Sequence, residues 1–334
     1  MYTIKDIAKM AKVSQSTVSK ALNDRHDVSQ KTKEKILEIA AQHHFKPYNT
    51  NRLSEKNVTE NIGVVFFREK RPLSGNPFYS RILEGIEGEL VLNNYNLILH
   101  LQQPQKANVL PKMIKDKKID GLILIGIMSP DFVKALKTID LPVMHIDPAA
   151  EYTEFNKVTI DNERGAFLAT QYLINCGHTE IAFLSGVLER SSFGCRYTGF
   201  RKAMQLHQLP VRDEFIMAEG IEEGYNQVCR LLTLKKRPTA ILFSNDENAL
   251  YGYKALYDHG KKIPDDISVV GFDDISMAKF ASPPLTTVRV YKEEIGSVAV
   301  RNLLPLIQEK SVTPLHILVP TRFIERESVK KIQK

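Results

Sequence analysis

Hydrophobic and polar positions follow two different patterns along the 334-residue chain. In the first sixty residues, apolar side chains recur three or four positions apart, which predicts three short helices. Further along, near-continuous Val, Ile and Leu runs alternate with amphipathic helical segments. These runs are Ile62–Phe66, Asn96–Leu99, Gly121–Ile125, Pro142–Ile146, Ile181–Leu184, Ala240–Phe243 and Ser268–Phe272. Such an alternation is typical of parallel sheets flanked by helices on both faces, so most of the chain is predicted to be an α/β body.

The N-terminal helices carry start signals and a shared apolar face. Thr3 and Asp6 have the capping-box spacing, Ser14 is a good N-cap for the second helix, and Ser29 is one for the third. The predicted core comprises Ile4, Ile7, Ala8, Val13, Val18, Ala21, Leu22, Ile36, Leu37, Ile39 and Ala40. We therefore expect the three helices to close around one small apolar seam.

The second helix keeps a polar face outside that seam. Gln15, Ser16, Ser19 and Lys20 fall on one side at the 3.6-residue period, and they can reach base edges and phosphates from a DNA major groove. A small helical bundle with a solvated polar face would show the same pattern. The pattern alone leaves both interpretations open.

The distribution of charge favours nucleic acid as the partner of this face. The chain has a formal net charge of +7, of which +4 comes from residues 1–60 and +3 from the remaining residues. An excess of Lys and Arg at one end is expected where that end attracts phosphates. A nucleic-acid-binding head on a nearly neutral body accounts for the asymmetry.

Composition divides the chain into three regions. A helix-turn-helix DNA-binding domain is predicted at 1–47, and a hinge or linker rich in Asn, Thr and Ser at 48–61. The body follows at 62–334, where the apolar runs begin. This larger region is the predicted α/β body; the family resemblance described below implies that it binds an effector and forms the dimer.

Extended passages in the body predict that it has two lobes. Val158–Arg164 leads into a helix at Ala166–Cys176, and Pro283–Thr287 makes a second extended passage. We expect a lobe boundary near 160, with the chain crossing back near 288–292 and 315–322. In such folds ligands sit outside the carboxyl ends of the strands, here in the cleft between the lobes.

Several alternative classes are disfavoured by what the sequence lacks. No apolar run approaches the roughly 18 residues that a membrane-spanning helix needs, and no export signal opens the chain, so the protein is expected to be cytoplasmic and without a membrane partner. A transport binding protein would share the body, but it needs such a signal and would not carry the head. Cys176, Cys195 and Cys229 are widely spaced and are interpreted as free thiols.

An enzyme is the other alternative class. An enzyme built on this architecture would need a phosphate loop, a metal cluster or a nucleophile–base pair, and the chain contains no GxxxxGK[ST], HExxH or GxSxG motif. His145, His178 and His207 are isolated and are interpreted as structural hydrogen-bonding groups. We therefore expect no catalytic residue, no metal and no cofactor.

Short motifs occur in a characteristic order along both regions. In the head they are Thr3–Ala8, Val13–Ser14 and Thr17–Ser19. In the body they are Asp161–Asn162, Gly165–Ala166, Gly177–His178, Pro238–Ile241, Asn245–Asp246, Ile263–Asp274 and Pro284–Thr287. In this order the chain resembles, from Thr3 to Ser328, the lactose-repressor (LacI/GalR) family of bacterial transcription regulators. The resemblance implies a periplasmic-binding-protein-like body and a homodimeric repressor on a near-palindromic operator, with affinity altered by a small sugar-like effector.

The resemblance also implies a set of effector contacts. Arg196 lies three positions before Gly199, where the family places a ligand-gripping arginine whose planar fork suits vicinal hydroxyls or a carboxylate. Asp273 matches the family's acceptor for sugar hydroxyls. The other implied contacts are Phe78, Tyr79, Asp147, Ser192 and Asn245. The alternatives are a structural ion pair for Arg196 and Asp273 and ordinary core packing for the aromatic residues.

The DNA contacts implied by the resemblance are Thr3, Ser14, Gln15, Ser16, Thr17, Ser19, Lys20, Asn23 and Leu53. Gln15, Ser16 and Lys20 are expected to read bases, because their side chains project from the helix face that enters the groove. Thr17 and Ser19 are expected to fix that helix on the phosphate backbone.

Two positions depart from the family pattern. An ungapped alignment puts Ser54 where the family has a leucine that wedges into the minor groove, with Leu53 one position earlier. Lys12 replaces the family's usual glycine in the turn before Val13. If Lys12 needs a left-handed backbone, it costs on the order of 1 kcal/mol.

Overall fold

The structure is a computed structural model that describes residues 4–22, 28–43, 58–67, 73–103, 109–148, 155–220, 223–308 and 313–332. The chain divides into two compact units, Met1–Thr59 and Glu60–Lys334, which we call the head and the body. Within the described ranges, no helix is both long and apolar enough to cross a membrane.

The head contains the three expected helices, α1 (Ile4–Ala11), α2 (Gln15–Leu22) and α3 (Gln30–Gln42). Its buried core is formed by Ile7, Ala8, Ala11, Val18, Ala21, Leu22, Ile36 and Ala40. Of the other predicted core residues, Val13 and Ile39 are partly buried against this core, whereas Ile4 is 37% and Leu37 is 45% exposed. Ile4 is the first residue of α1 and precedes its buried turn, and Leu37 is rotated by about 100° from buried Ile36.

The turn between α1 and α2 is closed by backbone hydrogen bonds. The N–H of Val13 donates to the Ala8 carbonyl at 3.1 Å, and Lys12 has a left-handed φ of 58°. Helices commonly end at a residue with a left-handed backbone, although glycine adopts this conformation at the least cost. The Ser14 hydroxyl then accepts from the Thr17 N–H at 3.1 Å and caps α2, as predicted.

Strands and helices alternate through most of the body. The strands are β1 (Asn61–Phe67), β2 (Asn96–Gln102), β3 (Gly121–Ile125), β4 (Val143–Ile146), β5 (Asn156–Ile160), β6 (Ile181–Ser185), β7 (Ile216–Ala218), β8 (Ala240–Phe243), β9 (Ser268–Val270), β10 (Thr287–Val290), β11 (His316–Val319) and β12 (Thr321–Ile324). The helices are α4 (Pro77–Leu92), α5 (Lys112–Lys115), α6 (Pro130–Leu136), α7 (Asn162–Asn175), α8 (Ser191–Leu206), α9 (Gly224–Thr233), α10 (Asp246–Asp258) and α11 (Lys292–Gln308).

The first lobe is a parallel sheet with the order β11-β5-β4-β3-β1-β2. Side chains of β1 alternate between two cores: Val64 and Phe66 face the cluster that includes α4 and α11, whereas Val65 and Phe67 face the cluster that includes α5 and α6. Helices on both faces bury the central strands completely, which explains their continuous apolar runs.

Helices α4 and α11 approach each other closely at two glycines. A Cβ atom added to Gly85 would lie 1.9 Å from the carbonyl oxygen of Glu293, and one added to Gly296 would lie 2.2 Å from that of Ile82. Neither position accepts a larger residue without moving a backbone. The pair fixes α11 on the first lobe, although α11 follows the whole second sheet in the chain.

The second lobe contains the parallel sheet β7-β6-β8-β9, and an antiparallel pair joins β10 to β12. The chain leaves the first sheet after β5, returns to the first lobe from β10 into α11, and passes again from β11 to β12. Strand β9 ends at Val270, two residues earlier than the apolar run suggested.

Candidate nucleic-acid interface and ligand cleft

The polar face of α2 is available for a partner. Gln15, Ser16 and Lys20 are exposed, whereas Thr17 and Ser19 are half-buried. The opposite side of the helix packs into the head core through Val18, Ala21 and Leu22. The three residues expected to read bases are therefore exposed, and the two expected to fix the helix on the backbone are half-buried.

Ser14 is also exposed, and its hydroxyl lies 2.8 Å from that of Thr17. This contact holds both hydroxyl groups at the N-terminus of α2, where a helix favours anions such as phosphate. Thr3, Asn23 and Leu53, with the neighbouring Ser54, lie outside the described residues.

Most of the predicted effector residues lie where parallel strands end. Asp147 follows β4, Asn245 follows β8, and Asp273 comes shortly after β9. Arg196 and Ser192 lie on α8, the helix that follows β6. The carboxyl ends of the strands are where ligands bind in open α/β sheets.

Arg196 is held in one orientation by protein groups. Its side chain is 4% exposed, and Nη2 lies 3.1 Å from Oδ1 of Asp273. Nε donates to Oδ1 of Asn162 at 2.8 Å, and Nη1 donates to the carbonyl of Ser244. The guanidinium also lies over the Phe272 ring, 3.7 Å from its centroid. The hydrogen bonds use two of its five N–H groups, and the contact with Asp273 is an ion pair without hydrogen-bond geometry, so at most three donors are left for a ligand.

Asp273 is both buried and conformationally strained. Its φ is 107°, in a region that non-glycine residues rarely adopt, and its carbonyl accepts from the ammonium group of Lys292. Burial raises the pKa of its carboxyl group, Arg196 and Lys292 oppose the rise, and the charge of Asp147 adds to it. Strain of this kind clusters at functional sites.

The first lobe contributes two aromatic residues and a carboxylate. Asn76 caps α4 by accepting from the N–H groups of Phe78 and Tyr79, both at 3.1 Å. Tyr79 is buried and donates its hydroxyl to Oδ2 of Asp147 at 3.0 Å, whereas Phe78 is half-buried beside it. Asp147 also has a left-handed backbone, with a φ of 54°.

Arg190 links the two lobes and was missed from the sequence. Its Nη2 donates to the hydroxyl of Tyr79 and lies 3.5 Å from Oδ2 of Asp147, and its guanidinium lies 5.4 Å from the ring centroid of Phe193. It precedes α8 in an irregular segment that carries no motif. The only sequence feature that could have pointed to Arg190 was its position six residues before Arg196.

Ser192 and Asn245 have more restricted roles than their polarity suggested. Ser192 is buried one turn before Arg196, on the same face of α8. Asn245 caps α10, because its Oδ1 accepts from the Asn248 N–H at 2.9 Å. The cap uses part of the mixed hydrogen-bonding capacity expected for Asn245 and leaves its amide nitrogen and one acceptor site of Oδ1.

Two acidic side chains beside Asp273 stabilise the loop after β9. Asp246 is fully buried and accepts from the hydroxyl of Thr287 at 2.6 Å, and burial raises its pKa well above the ordinary value. Burial also acts to raise the pKa of Asp274, but hydrogen bonds from Arg326 and Arg289 lower it overall. The sequence motif contained both aspartates without indicating these structural roles.

The isolated histidines behave as structural groups where they are buried. His178 contacts the hydroxyl of Thr239 at 2.9 Å and the carbonyl of Lys330 at 3.2 Å. His145 contacts the carbonyl of Gly126 at 2.8 Å, and burial lowers its pKa to about 4. Within the part of the chain that the structure describes, no group of three or more His, Cys, Asp or Glu residues could hold a metal ion.

A helical head with an exposed polar helix, followed by a two-lobed body with a polar cleft, defines a class of DNA-binding transcription regulators. Residues 3–48 match the bacterial regulatory proteins of the lacI family, and residues 170–329 match the periplasmic binding protein-like domain. The chain is 33% identical to the HTH-type transcriptional repressor PurR of Vibrio parahaemolyticus, over 99% of this chain and 100% of that protein. The chain belongs to the LacI family and is a DNA-binding transcriptional repressor, not an enzyme.

Solved structures agree with this assignment. The lac repressor dimer bound to operator and the anti-inducer ONPF superposes with a TM-score of 0.77 at 26% identity, over 98% of this chain and 99% of that one. A LacI family regulator from Enterococcus faecium with bound ribose gives a TM-score of 0.70 at 27% identity, over 82% of this chain and 100% of that one.

Proposed function

We propose that the chain acts as a homodimer whose affinity for a near-palindromic operator is controlled by a small sugar-like effector bound between the lobes. The observation that carries the proposal is the buried pair of Arg196 and Asp273, which lies near Asp147 and Tyr79 of the first lobe. Together these groups offer donors and acceptors to ligand hydroxyls.

The two ion pairs of the cleft favour an uncharged ligand. Arg190 and Arg196 supply two positive charges, and Asp147 and Asp273 supply two carboxylates that pair with them. A ligand with a net charge would leave one of these groups uncompensated in a buried site, which is costly. A neutral sugar or polyol therefore fits better than a sugar acid or a sugar phosphate. The ribose bound to the Enterococcus faecium regulator supports this choice.

A flat heterocycle such as a nucleobase is the second candidate. The Phe193 ring lies within 6 Å of both arginine guanidinium groups, at 5.4 Å from Arg190 and 5.9 Å from Arg196. Planar arginine groups and aromatic rings stack on planar ligands as readily as they grip hydroxyls.

For the head, we propose that Gln15, Ser16 and Lys20 read bases in the major groove. Thr17 and Ser19 hold α2 on the backbone, and Ser14 contacts phosphate at the start of that helix. Thr3 and Asn23 add backbone contacts. Leu53, one position before the usual leucine, is the candidate for a minor-groove wedge.

A thermal-shift screen tests the effector class. Neutral sugars, sugar acids, sugar phosphates and nucleobases are added to the full chain, and a ligand at about 100 times its Kd stabilises the protein by roughly 2.7 kcal/mol. We expect neutral sugars to raise Tm and to change operator affinity. A shift that persists unchanged in both Arg196→Ala and Asp273→Ala would place the ligand elsewhere.

Gel filtration with a palindromic duplex tests the assembly. We expect two protomers on each duplex, with one head in each major-groove half-site. A single protomer bound at micromolar concentration would contradict the homodimer.

A further inference from the structure

The body carries a concentrated positive surface on its first lobe. Lys112, Lys115, Lys117 and Lys118 are all exposed, and Asp116 is the one acidic residue among them. We call Lys112–Lys118 the basic segment. It covers helix α5 and the turn that leads into β3.

Most of this charge is not neutralised locally. Asp116 lies 4.0 Å from Nζ of Lys112 and 3.7 Å from Nζ of Lys118, whose side chains are 84% and 60% exposed. Such exposed ion pairs contribute little to stability, so another anion can readily replace Asp116 as the partner of these lysines. Within the described ranges, Lys115 and Lys117 make no ion pair with an acidic side chain.

The basic segment is fixed to the first residues of the body. The side-chain amide of Asn61 donates to the Lys118 carbonyl at 3.1 Å, and the Asp120 N–H donates to the Asn61 carbonyl at 2.9 Å. Oδ2 of Asp120 accepts from the Glu60 N–H at 2.8 Å. The four lysines therefore lie beside the point at which the chain passes from the linker into β1.

The linker between the head and the body limits the distance between the start of β1 and an operator bound by the head. His43 in the head and Glu60 in the body are 17 positions apart, and a chain of that length spans at most about 60 Å. Binding of the head to DNA thus places the basic segment at a high effective concentration near the same duplex. The phosphate backbone is the polyanion that matches such a lysine cluster in charge.

We propose that the basic segment is a second, sequence-independent DNA contact, in which Lys115 and Lys117 bind operator phosphates while the head reads bases. The contact adds affinity without adding base discrimination. It requires DNA binding by the head but no particular effector.

The test compares two double variants of the full chain. Lys115→Gln combined with Lys117→Asn removes the two unpaired charges, and Asn tolerates the left-handed backbone of Lys117, whose φ is 52°. The control, Lys235→Gln combined with Lys262→Gln, removes the same charge from exposed positions on the second lobe. Fluorescence anisotropy gives Kd for operator and scrambled duplexes between 50 and about 300 mM KCl.

We expect the first variant to bind both duplexes roughly three- to tenfold more weakly at low salt, with the slope of log K against log salt reduced by about 0.9 for each lost contact. The control should match the wild type. Equal slopes for all three proteins, or equal losses in both variants, would overturn the proposal. A loss confined to the operator sequence would also overturn it. If the double variant has a lowered Tm, Lys115→Gln alone supplies the comparison.

Discussion

At the scale of single residues, Arg196 and Asp273 combine the two interpretations that their sequence positions left open. They form a buried ion pair, and the same pair lies at the carboxyl ends of the strands beside Asp147. A structural pair and a ligand contact are compatible, because the guanidinium keeps up to three N–H groups after its protein hydrogen bonds are counted. Removing one partner should therefore affect both stability and the effector response.

Replacing Arg196 by Ala leaves Asp273 buried without its cation, and breaking a buried pair costs about 3–5 kcal/mol. We expect Arg196→Ala to lower the free energy of unfolding by about 3 kcal/mol and to abolish the effector response. Operator affinity without effector should stay within about twofold, since a tenfold change would need 1.4 kcal/mol at the DNA. Urea unfolding and anisotropy measure these quantities. Arg201→Ala, an exposed arginine on the same helix, should change neither.

Lys20 should contribute to base preference rather than to general affinity. It is exposed on α2, one turn after Ser16, on the face that lies opposite the packed side of the helix. We expect Lys20→Ala to weaken binding to the preferred operator by roughly 1–3 kcal/mol and to relax preference at one base position. Selection of operators from a random pool shows the change. An unaltered base preference would assign Lys20 to the phosphate backbone instead.

At the scale of elements, the turn between α1 and α2 carries a removable strain. Lys12 has a φ of 58°, which glycine adopts without penalty. Lys12→Gly should therefore stabilise the head by up to about 1 kcal/mol. Hydrogen exchange of the α1 and α2 amides in the full chain measures the effect. Lys9→Gly, inside α1, should have the opposite sign at a similar magnitude; a loss of stability in both variants would contradict the argument.

Helix α11 connects the cleft with the first lobe. Its first residue, Lys292, is buried and donates to the carbonyls of Asp273 and Asp274 in the second lobe, while α11 itself packs on α4 in the first. A change in the angle between the lobes must strain or break these contacts. Lys292 is therefore placed to couple the occupancy of the cleft to the arrangement of the lobes.

We expect Lys292→Met to keep effector affinity within about threefold while reducing the effector's influence on operator affinity, which is typically 1–3 kcal/mol for such couplings. Ligand titrations in the presence and absence of operator give both values. Lys279→Met, at an exposed lysine of the second lobe, is the control. An unchanged coupling in Lys292→Met would make its contacts purely structural.

The elements differ in how well their sequences predict them. Central strands such as β3 are buried on both faces, so their apolar runs are continuous and easily detected. The edge strands β7 and β11 were not among the predicted runs, because they have only three and four residues, of which at most one is fully buried. Arg190 was missed because its contacts with Tyr79 and Asp147 come from the other lobe and leave no pattern in its own segment.

At the scale of the whole molecule, the head and the cleft must influence each other reciprocally. If the effector changes operator affinity by a given factor, thermodynamic linkage requires operator DNA to change effector affinity by the same factor. We expect isothermal titration of the effector with and without saturating operator to return that factor within error. Unequal factors would show that the two measurements involve different assembly states of the protein.

The interleaved path of the chain also has a consequence for its synthesis. Strand β11 completes the first sheet beside β5, and α11 covers that sheet beside α4, yet both are translated after β6 to β10. Until then, the nascent first lobe has an unpaired edge at β5 and an uncovered apolar face, both of which invite aggregation. The first lobe thus leaves the ribosome first but cannot finish folding until nearly the whole chain has been made.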